Sequence, residues 1–440
     1  NNIRRKRGSN CAESAYNRAA SSECSFESGH VPGGEFYPVA EYVNGDRNGS
    51  FGYSVGHVGS AHKISGDFKM KNTKKYKRKL DSSAQSMMTH RQLVLMKFKK
   101  HRMAMAALVV LVILYLICIF SDFFAPYGPT DRFTDLASMP PQKIHLYDEG
   151  KFVGPFVYGI TYSRDPQTFQ KIYEEDRETV HRIQFFCHGV SYKLFGLIET
   201  DIHLFGVEEG NICLMGTDSM GRDLFSRILN GGRLSLSVGL VGVVLSMLFG
   251  LLLGGIAGFY GGKIDNCIMR VVDLFMSLPT IPLWMGLAAA VPRDWSTIRT
   301  YFAITIILSF FGWTNIARVV RGKFLSLREE DYVLAARLSG ASDFYVIRSH
   351  LIPSFISYII VSLTLSIPGM IIGETTLSFL GLGLQAPAVS WGVLLKDAQN
   401  FRSIATMPWL LLPSIFVIIT VLAFNFVGDG LRDAADPYSG

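Results

Sequence analysis

Apolar residues along this chain are gathered into long runs that polar segments separate. Six runs approach the roughly 20 residues that one helix needs to cross a bilayer, and they cover residues 103–125, 234–260, 267–290, 301–320, 354–372 and 409–428. Pro279 and Pro282 fall inside the third run. Because proline interrupts helical hydrogen bonding, we expect that span to be kinked or broken. The pattern predicts an all-α polytopic membrane protein with six transmembrane helices.

The polar segments divide the chain into five parts. Residues 1–86 show no sustained apolar period, which predicts a disordered cytoplasmic tail. Residues 87–125 hold a basic flank and the first span, and the polar stretch 126–233 is expected to form an enlarged extracytoplasmic insert. Residues 234–429 contain the other five spans, and residues 430–440 form a short cytoplasmic tail.

Two methionines, Met87 and Met88, directly precede the basic flank and resemble natural starts of translation. We therefore expect part of residues 1–86 to be an extension upstream of the native start. Sequencing the N-terminus of the native protein tests this expectation, and a native N-terminus well before Met87 would contradict it.

Composition and charge agree with a membrane protein and predict its orientation. Hydrophobic residues make up 49% of the chain and charged residues 18%, whereas soluble proteins carry about 25% charge. Lysine and arginine outnumber acidic residues by 43 to 36, and Lys99, Lys100 and Arg102 flank the first span. Because basic residues collect on the cytoplasmic side, we expect both termini and the segment 321–353 to be cytoplasmic. We expect no nucleic-acid binding.

The sequence lacks the common signatures of catalysis. It has no G-x-x-x-x-G-K-[ST] phosphate loop, no H-E-x-x-H zinc motif and no G-x-S-x-G nucleophile elbow. Its six cysteines form no C-x-x-C pair, and Cys187 and Cys213 in the insert are either a disulfide or two free thiols. No span places an acidic residue alone at mid-depth, which disfavours an ion-coupled carrier. We predict no catalytic, cofactor-binding or metal-binding residues.

Three glycines in the second run have a helix-packing spacing. Gly250, Gly254 and Gly258 recur every four residues and therefore share one face of a helix. Without side chains they allow another helix backbone to approach closely, although a helix that faces lipid also tolerates them. We expect close packing at this face.

The cytoplasmic segment has the residue order of two short helices joined by a turn. Residues 329–331 are acidic and stand where negative charge stabilises a helix N-terminus, and Arg337 stands near the end of the same helix. Gly340 follows and can take the positive φ that ends a helix. The small side chains of Ala335 and Ala336 leave room for docking in a groove on another protein. A merely solvated loop is the alternative.

Four blocks, in one order along the chain, resemble the permease subunits of ABC importers. Residues 334–340 resemble the EAA loop that couples such permeases to their ATPases, with Leu334 where the family has glutamate. Residues 216–223, 374–383 and 425–433 resemble further segments of the oligopeptide and dipeptide branch. Apart from its insert, the chain from about residue 90 onward resembles the C-type permease of this branch.

The resemblance implies a type I ABC-importer permease fold in the bacterial cytoplasmic (inner) membrane. It also implies partners besides membrane lipid, namely a second (B-type) permease, two ATPase subunits and an extracytoplasmic peptide-binding protein. ATP and Mg are then bound by the ATPase subunits and not by this chain. The alternatives are an ion-coupled secondary transporter, an importer of nickel or another small solute with the same architecture, and a membrane-anchored interaction protein.

The resemblance also assigns roles to residues. The ATPase-coupling residues are expected to be Glu330, Asp331, Ala335, Ala336, Arg337, Gly340, Ala341 and Ser342. The residues of the external mouth and entry are expected to be Asp218, Arg222, Asp223, Glu374, Phe379 and Trp391. The first three of these either fix the start of the second span by an ion pair or face the binding protein. Phe379 and Trp391 either meet the partner permease, gate the path or anchor the chain at the membrane interface.

Overall fold

The computed structural model describes residues 90–436 apart from residues 149, 165, 168–170 and 195–196. The predicted tail, together with Met87 and Met88, lies outside these described residues. Within them, the helices are, in chain order, α1 (His90–Lys100), α2 (Arg102–Ile119), α3 (Ser121–Phe124), α4 (Leu224–Tyr260), α5 (Gly262–Ser277), α6 (Thr280–Ala289), α7 (Thr297–Leu327), α8 (Asp331–Leu338), α9 (Asp343–Val346), α10 (Ile352–Ser354), α11 (Ile356–Phe379), α12 (Trp391–Lys396), α13 (Phe401–Thr406) and α14 (Leu412–Ala435). Short 3₁₀ or π turns lie at Thr134–Leu136, Ile347–Leu351 and Pro408–Leu411.

Among the described residues, five helical stretches are long and apolar enough to cross a membrane. They are α2, α4, α7, α11 and the stretch Pro408–Ala435 that contains α14. A sixth span is formed if α5 and α6, which are bent by 90° at a short break, are taken together. The structure therefore agrees with the predicted helical membrane protein, and the predicted count of six spans is reached if the bent pair forms one span.

The break in the third span lies at the predicted prolines. α5 ends at Ser277, and Pro279 is the residue that precedes the first turn of α6. Pro282 lies in that first turn, where backbone N–H groups have no intrahelical partner and proline costs little. The proline pair thus breaks the span and still permits a new helix to begin.

Two other spans are longer than their apolar runs. α4 begins at Leu224 instead of residue 234, and α11 continues to Phe379 instead of residue 372. The added turns carry polar side chains such as Arg227 and Glu374, which lower the local hydropathy but are buried against other parts of the chain. Internal hydrogen bonds and ion pairs therefore extend these helices beyond what apolar residues alone predict.

The insert corrects the all-α prediction. It contains an antiparallel sheet whose strands β1 (His145–Asp148), β2 (Lys151–Arg164), β3 (Lys171–Leu194) and β4 (Ile198–Val207) are ordered as in the sequence. β2 is rich in β-branched and aromatic residues, which favour a pleated, half-buried surface. The four described strands are neighbours in chain order and antiparallel to one another, which is the arrangement of a meander.

The glycine face of α4 packs against α7, as the spacing predicts. A Cβ atom added at Gly250 would lie 2.6 Å from Cβ of Ile316, and one at Gly258 would lie 2.6 Å from Cβ of Phe324. At Gly254 the added atom would meet the backbone of Ala317. Backbone cannot rotate away as a side chain can, so this position demands glycine.

Replacing Gly254 by alanine is expected to destabilise the folded chain by about 1–3 kcal/mol, because the new methyl group forces α4 and α7 apart. The matched control is Gly369→Ala in α11, where an added Cβ meets no heavy atom within 4 Å. That control should be neutral or slightly stabilising, since alanine favours helix over glycine. The midpoint of thermal unfolding in detergent measures both, and equal midpoints for the two variants would contradict this packing.

Candidate functional site: an exposed helix-turn-helix

The segment after α7 forms a short helix, a turn and a second helix. α8 ends in a Schellman motif, in which the Ala341 N–H donates to the Ala336 carbonyl at 3.1 Å and the Gly340 N–H donates to the Arg337 carbonyl at 3.0 Å. Gly340 has φ +81, in the left-handed region that glycine adopts without a Cβ penalty. Ser342 then caps α9 by accepting a hydrogen bond from the Tyr345 N–H. The turn geometry thus follows from Gly340.

One side of this segment is fixed to the helix bundle. Val333 is fully buried in a cluster that includes Phe259 of α4, Phe324 of α7 and Leu351 of the π turn. The Arg337 guanidinium lies 4.5 Å from the centre of the Phe259 ring, a cation–π contact. α8 is therefore packed into the same apolar cluster as α4 and α7.

The other side is an exposed apolar surface that we call the docking face. It consists of Leu334, Leu338, Phe344 and Tyr345, of which Leu338 is 89% exposed. Exposed apolar patches rimmed by charge are typical of protein-protein contact sites. The docking face was not among the predicted residues, although its signal is in the sequence. Leu334 and Leu338 are one helical turn apart on a helix whose opposite side, at Val333, is also apolar.

The predicted coupling residues surround this docking face. Ala336 and Ala341 are half-buried beneath it, and the others are exposed around it: Glu330, Asp331, Ala335, Arg337, Gly340 and Ser342. The structure therefore brings all eight into one segment. The arrangement combines an apolar centre, acidic and basic side chains at the rim and a base packed into the helix bundle, which suits binding another protein.

A buried ion-pair cluster lies at the opposite end of α4. Asp218 is fully buried, and its Oδ2 accepts a hydrogen bond from Arg222 Nε at 2.7 Å and another from Arg227. Its Oδ1 accepts from the backbone N–H groups of Met220, at 2.8 Å, and Arg222, at 3.0 Å. Arg227, itself only 2% exposed, belongs to the first turns of α4. This geometry supports the alternative in which these residues fix the start of the second span.

Asp223 is the N-cap of α4. Its Oδ2 accepts hydrogen bonds from the Ser226 N–H at 2.8 Å and the Ser226 hydroxyl at 2.6 Å. Burial, reinforced by the nearby Asp218 carboxylate, raises the pKa of Asp223 to about 6. The Asp223 carboxyl group is therefore mostly neutral below about pH 6 and mostly charged above that pH.

This pKa predicts a pH-dependent stability. Because the pKa of Asp223 is raised on folding from 3.8 to about 6, the folded chain binds the proton more tightly than the unfolded chain. The resulting stability is fully present below the unfolded pKa and is lost as pH rises through the folded one. In an Asp223→Asn variant, which keeps the capping oxygen, the loss between about pH 4 and about pH 7 should disappear. Thermal unfolding across this range measures it, and identical pH profiles for the two proteins would refute the assignment.

A second buried cluster joins α11, α4 and α12. Glu374 accepts hydrogen bonds from the Ser235 hydroxyl at 2.9 Å and the Ser378 hydroxyl at 2.8 Å. The same Ser235 oxygen accepts from the Trp391 backbone N–H at 3.1 Å, and the Trp391 indole donates to the Ile228 carbonyl at 3.0 Å. Three segments that are distant in sequence are thereby held at one point.

These positions correct the prediction for the external mouth. Glu374 and Trp391 are both fully buried within this chain, so neither lines an opening, and Trp391 is not an interfacial anchor. Glu374 lies inside α11, which continues past the end of the predicted fifth run at residue 372. Phe379 is half-buried as the last residue of α11. The resemblance did not reveal the burial of Glu374 and Trp391, because the partners that bury them lie far away along the chain.

A solvent-open cleft lies near the C-terminal end of α11. It has a volume of about 210 Å³ and is formed by the loop between α6 and α7 and the loop after α11. Arg293, Thr297, Thr300 and Gln385 place polar groups along its walls. These residues were not predicted, since nothing in the local sequence of the loop residues Arg293 and Gln385, or of Thr297 and Thr300 in the first turn of α7, distinguishes them.

The described part of the chain shows no group of three or more His, Cys, Asp or Glu side chains placed to hold a metal ion. Cys187 and Cys213 are both free thiols, which settles the choice left open by the sequence. Asp273, which neighbours Arg270 on α5, pairs with Arg318 of α7 at 2.7 Å.

Comparison with known proteins supplies relatives. Residues 250–438 match the family described as binding-protein-dependent transport system inner membrane component, and residues 89–141 match the N-terminal TM domain of oligopeptide transport permease C. The dipeptide transport system permease protein DppC of Bacillus subtilis (strain 168) is 41% identical over 224 residues, which cover 50% of this chain and 68% of that protein.

Two further relatives are similar to the same extent. The oligopeptide transport system permease protein OppC of Bacillus subtilis (strain 168) is 40% identical over 223 residues, covering 50% of this chain and 70% of that protein. The glutathione transport system permease protein GsiD of Pectobacterium atrosepticum is 41% identical over 223 residues, covering 51% of this chain and 72% of that protein. In each case the aligned residues make up about half of this chain.

Proposed function

Since the chain belongs to the permease family of binding-protein-dependent ABC importers, in its oligopeptide and dipeptide branch, we propose that it forms the transmembrane pore of an ATP-driven peptide importer together with a second, B-type permease. The observation that carries the proposal is the docking face, an exposed apolar surface on a base that is rigidly tied to α4 and α7. An ATPase subunit that binds this surface can therefore move the pore helices α4 and α7, against which the base of the surface is packed.

The mechanism follows from how α8 is attached. Two cytoplasmic ATPase subunits bind the importer, one of them at the docking face of this chain. When ATP closes the ATPase pair, the docking face moves with it, and the buried contacts of Val333 and Phe259 carry the motion into α4 and α7. Contacts that differ between open and closed ATPases bias the pore toward one of two states. Hydrolysis then resets the importer.

The chain itself contributes no chemistry to ATP hydrolysis. Its 440 residues contain no phosphate-binding loop of the common type. ATP and Mg belong to the ATPase subunits, and this chain acts as a mechanical subunit. No residue of this chain is assigned a catalytic, cofactor-binding or metal-binding role.

In the orientation that we propose, both termini and the docking face are in the cytoplasm. The β-sheet and the cleft are then on the extracytoplasmic side. Basic residues before α2 and in the segment 321–353 support this orientation. An extracytoplasmic binding protein then delivers the substrate at the end that holds the cleft. The names of the relatives support peptides, including dipeptides and glutathione, over nickel or an unrelated small solute.

Affinity purification from native membranes in mild detergent tests the proposal. A second permease and ATPase subunits are expected to co-purify with this chain and to be identified by mass spectrometry. A co-purifying binding protein then identifies the substrate through its own ligand. Recovery of this chain alone, under conditions that keep a control importer intact, would overturn the proposal in favour of an ion-coupled carrier.

A further inference from the structure

Helix α5 of the broken third span has three different faces. Asp265 and Val272, two turns apart, are buried against the rest of the chain. The face on one side of them is apolar and exposed and consists of Ile264, Cys267, Val271 and Leu274. The face on the other side, which we call the polar face, is also exposed and consists of Lys263, Asn266, Arg270, Asp273 and Ser277. Spacings of three and four residues place each set on one side of the helix.

Contacts with α7 show how deep α5 reaches into the membrane. Near the start of α5, Asp265 Oδ2 accepts a hydrogen bond from Arg321 at 2.6 Å, and Arg321 directly follows the fourth apolar run, which α7 contains. Near the end of α5, the Phe275 ring centre lies 5.4 Å from those of Phe310 and Phe311, in the middle of that run. Because an apolar run of this length crosses the hydrocarbon, α5 extends from the membrane boundary to about mid-depth.

The polar face brings exposed charged and hydroxyl groups to this depth. The side chains of Asp273 and Arg318 pair at 2.7 Å and are 58% and 48% exposed. Asn315 precedes Arg318 by one turn of α7 and is exposed as well. Ser277, one turn beyond Asp273, is exposed, and its hydroxyl donates to the Leu274 carbonyl at 2.7 Å. Lipid does not solvate charges, so charged side chains in spans face other protein or a water-filled cavity. The polar face is therefore not a lipid-facing surface.

The break that follows α5 has the same requirement for a polar environment. Residues 277–282, where α5 ends and α6 begins, are all exposed, and the two helices are bent by 90°. The last carbonyl groups of a helix have no intrahelical partner. Non-helical backbone at membrane depth is tolerated only where protein buries it or where it lines a water-filled cavity. Ser277 belongs both to the polar face and to the break, so the two features meet at one point.

The charges of the polar face favour water over a covering protein. Asp273 is paired with Arg318, whereas no carboxylate of the described residues forms an ion pair with Arg270. A protein that covered this face would bury the Arg270 charge, which is costly unless a well-placed carboxylate comes with it. The apolar face, with Val271 and Leu274, suits lipid or a helix of another subunit instead. The two exposed faces of α5 thus require different surroundings.

We propose that the polar face of α5 lines a water-filled path from the membrane boundary to the break at Pro279, and that the net positive charge of this wall favours a solute with a carboxylate. The wall carries three basic side chains and one acidic side chain, namely Lys263, Arg270, Arg318 and Asp273. A charged wall raises the local concentration of ions of opposite sign. A peptide with a free C-terminus carries such a carboxylate, and only this identification of the solute rests on the proposed function.

Reaction of introduced cysteines with a charged thiol reagent tests the path. Ser277→Cys places a thiol at the deep end of the polar face, and Val271→Cys places one on the apolar face, nearer to the membrane boundary. Membranes with the assembled importer are treated on both sides with a charged methanethiosulfonate, with and without ATP, and mass spectrometry measures modification at each position. In at least one of these two conditions position 277 should react about tenfold faster or more, because the reactive thiolate forms in water and not in apolar surroundings.

Position 271 is a stringent control, because its smaller depth alone would make it the faster of the two. Equal rates, or a faster reaction at position 271, under both conditions would overturn the proposal, since lipid or protein would then cover position 277. This result is distinguishable from a failure of the proposed function, because the labelling rates need neither ATP hydrolysis nor a known substrate.

Two reagents of opposite charge test the charge of the wall. In low-salt buffer, the sulfonate form of the reagent should be favoured over the ammonium form at Ser277→Cys, relative to their rates with a free thiol in water. Arg270→Gln removes a charge about 10 Å away along the helix and should lower this preference about fourfold. Arg270→Lys, which keeps the charge, should retain the preference. An unchanged preference in Arg270→Gln would overturn the assignment of a carboxylate-bearing solute.

Discussion

Substitution of Gly340 by valine is expected to abolish ATP-driven uptake while leaving the chain inserted in the membrane. Gly340 has φ +81 and closes the Schellman motif at the end of α8. A non-glycine residue pays roughly 1–2 kcal/mol in this conformation, and a β-branched residue is a severe outlier there. The chain avoids that cost by remodelling the turn, which moves the docking face away from its ATPase. Uptake by proteoliposomes that contain the whole importer measures the loss.

The control for this prediction is Gly340→Asn. Asparagine tolerates the left-handed region better than other side chains, and a Cβ at this position meets no atom within 4 Å. The asparagine variant should therefore retain most of the uptake. Normal uptake by the valine variant would refute the coupling assignment, and loss of membrane insertion in that variant would show instead that the glycine is needed for folding.

The second large effect concerns the buried cluster at the start of α4. Replacing Asp218 by asparagine removes the nearer carboxylate from Arg227, which is 2% exposed, and leaves only the Asp397 carboxylate at 3.9 Å. Removing one partner of a buried ion pair typically destabilises a protein by about 3–5 kcal/mol, because the remaining charge is neither solvated nor neutralised. We expect the variant to unfold at a markedly lower temperature in detergent and to be digested faster by protease.

The exposed pair between Arg328 and Glu329, at 3.0 Å, provides the matched control. Glu329→Gln also removes one carboxylate from an arginine, but solvent screens the exposed pair, so its loss should cost under about 1 kcal/mol. If Asp218→Asn and Glu329→Gln shift the unfolding temperature equally, the buried cluster does not fix the start of α4.

The spans could be predicted from sequence because hydropathy is a local property. The proline break and the glycine face of α4 could be predicted for the same reason, since Pro279 and the spacing of Gly250, Gly254 and Gly258 act on their own helices. The start of α4 could not, because Arg227 lowers the local hydropathy and its burial in the first turns of α4 depends on its pairing with Asp218. The sheet was missed although β2 carries a β-branched and aromatic pattern, which the polar composition of the insert obscured.

The site shows the same division between local and distant causes. Gly340 as a turn residue follows from the residue order alone, and the structure confirms its positive φ. The burial of Trp391 depends on Ile228 and Ser235, which lie far away in the sequence, so its position at a mouth, which the resemblance implied, was wrong. The docking face could not be predicted from the sequence either, because only the burial of Val333 shows that Leu338 points away from the helix bundle.

Site-specific cross-linking at the docking face tests the central claim most directly. A photoactivatable cross-linker is attached at Leu338→Cys in the assembled importer, with Met220→Cys as an exposed control at the other end of α4. The account predicts a cross-link from position 338 to an ATPase subunit, with a yield that changes when ATP is bound, and none from position 220. An intact importer that gives no cross-link at 338, or equal cross-links at both positions, would contradict it.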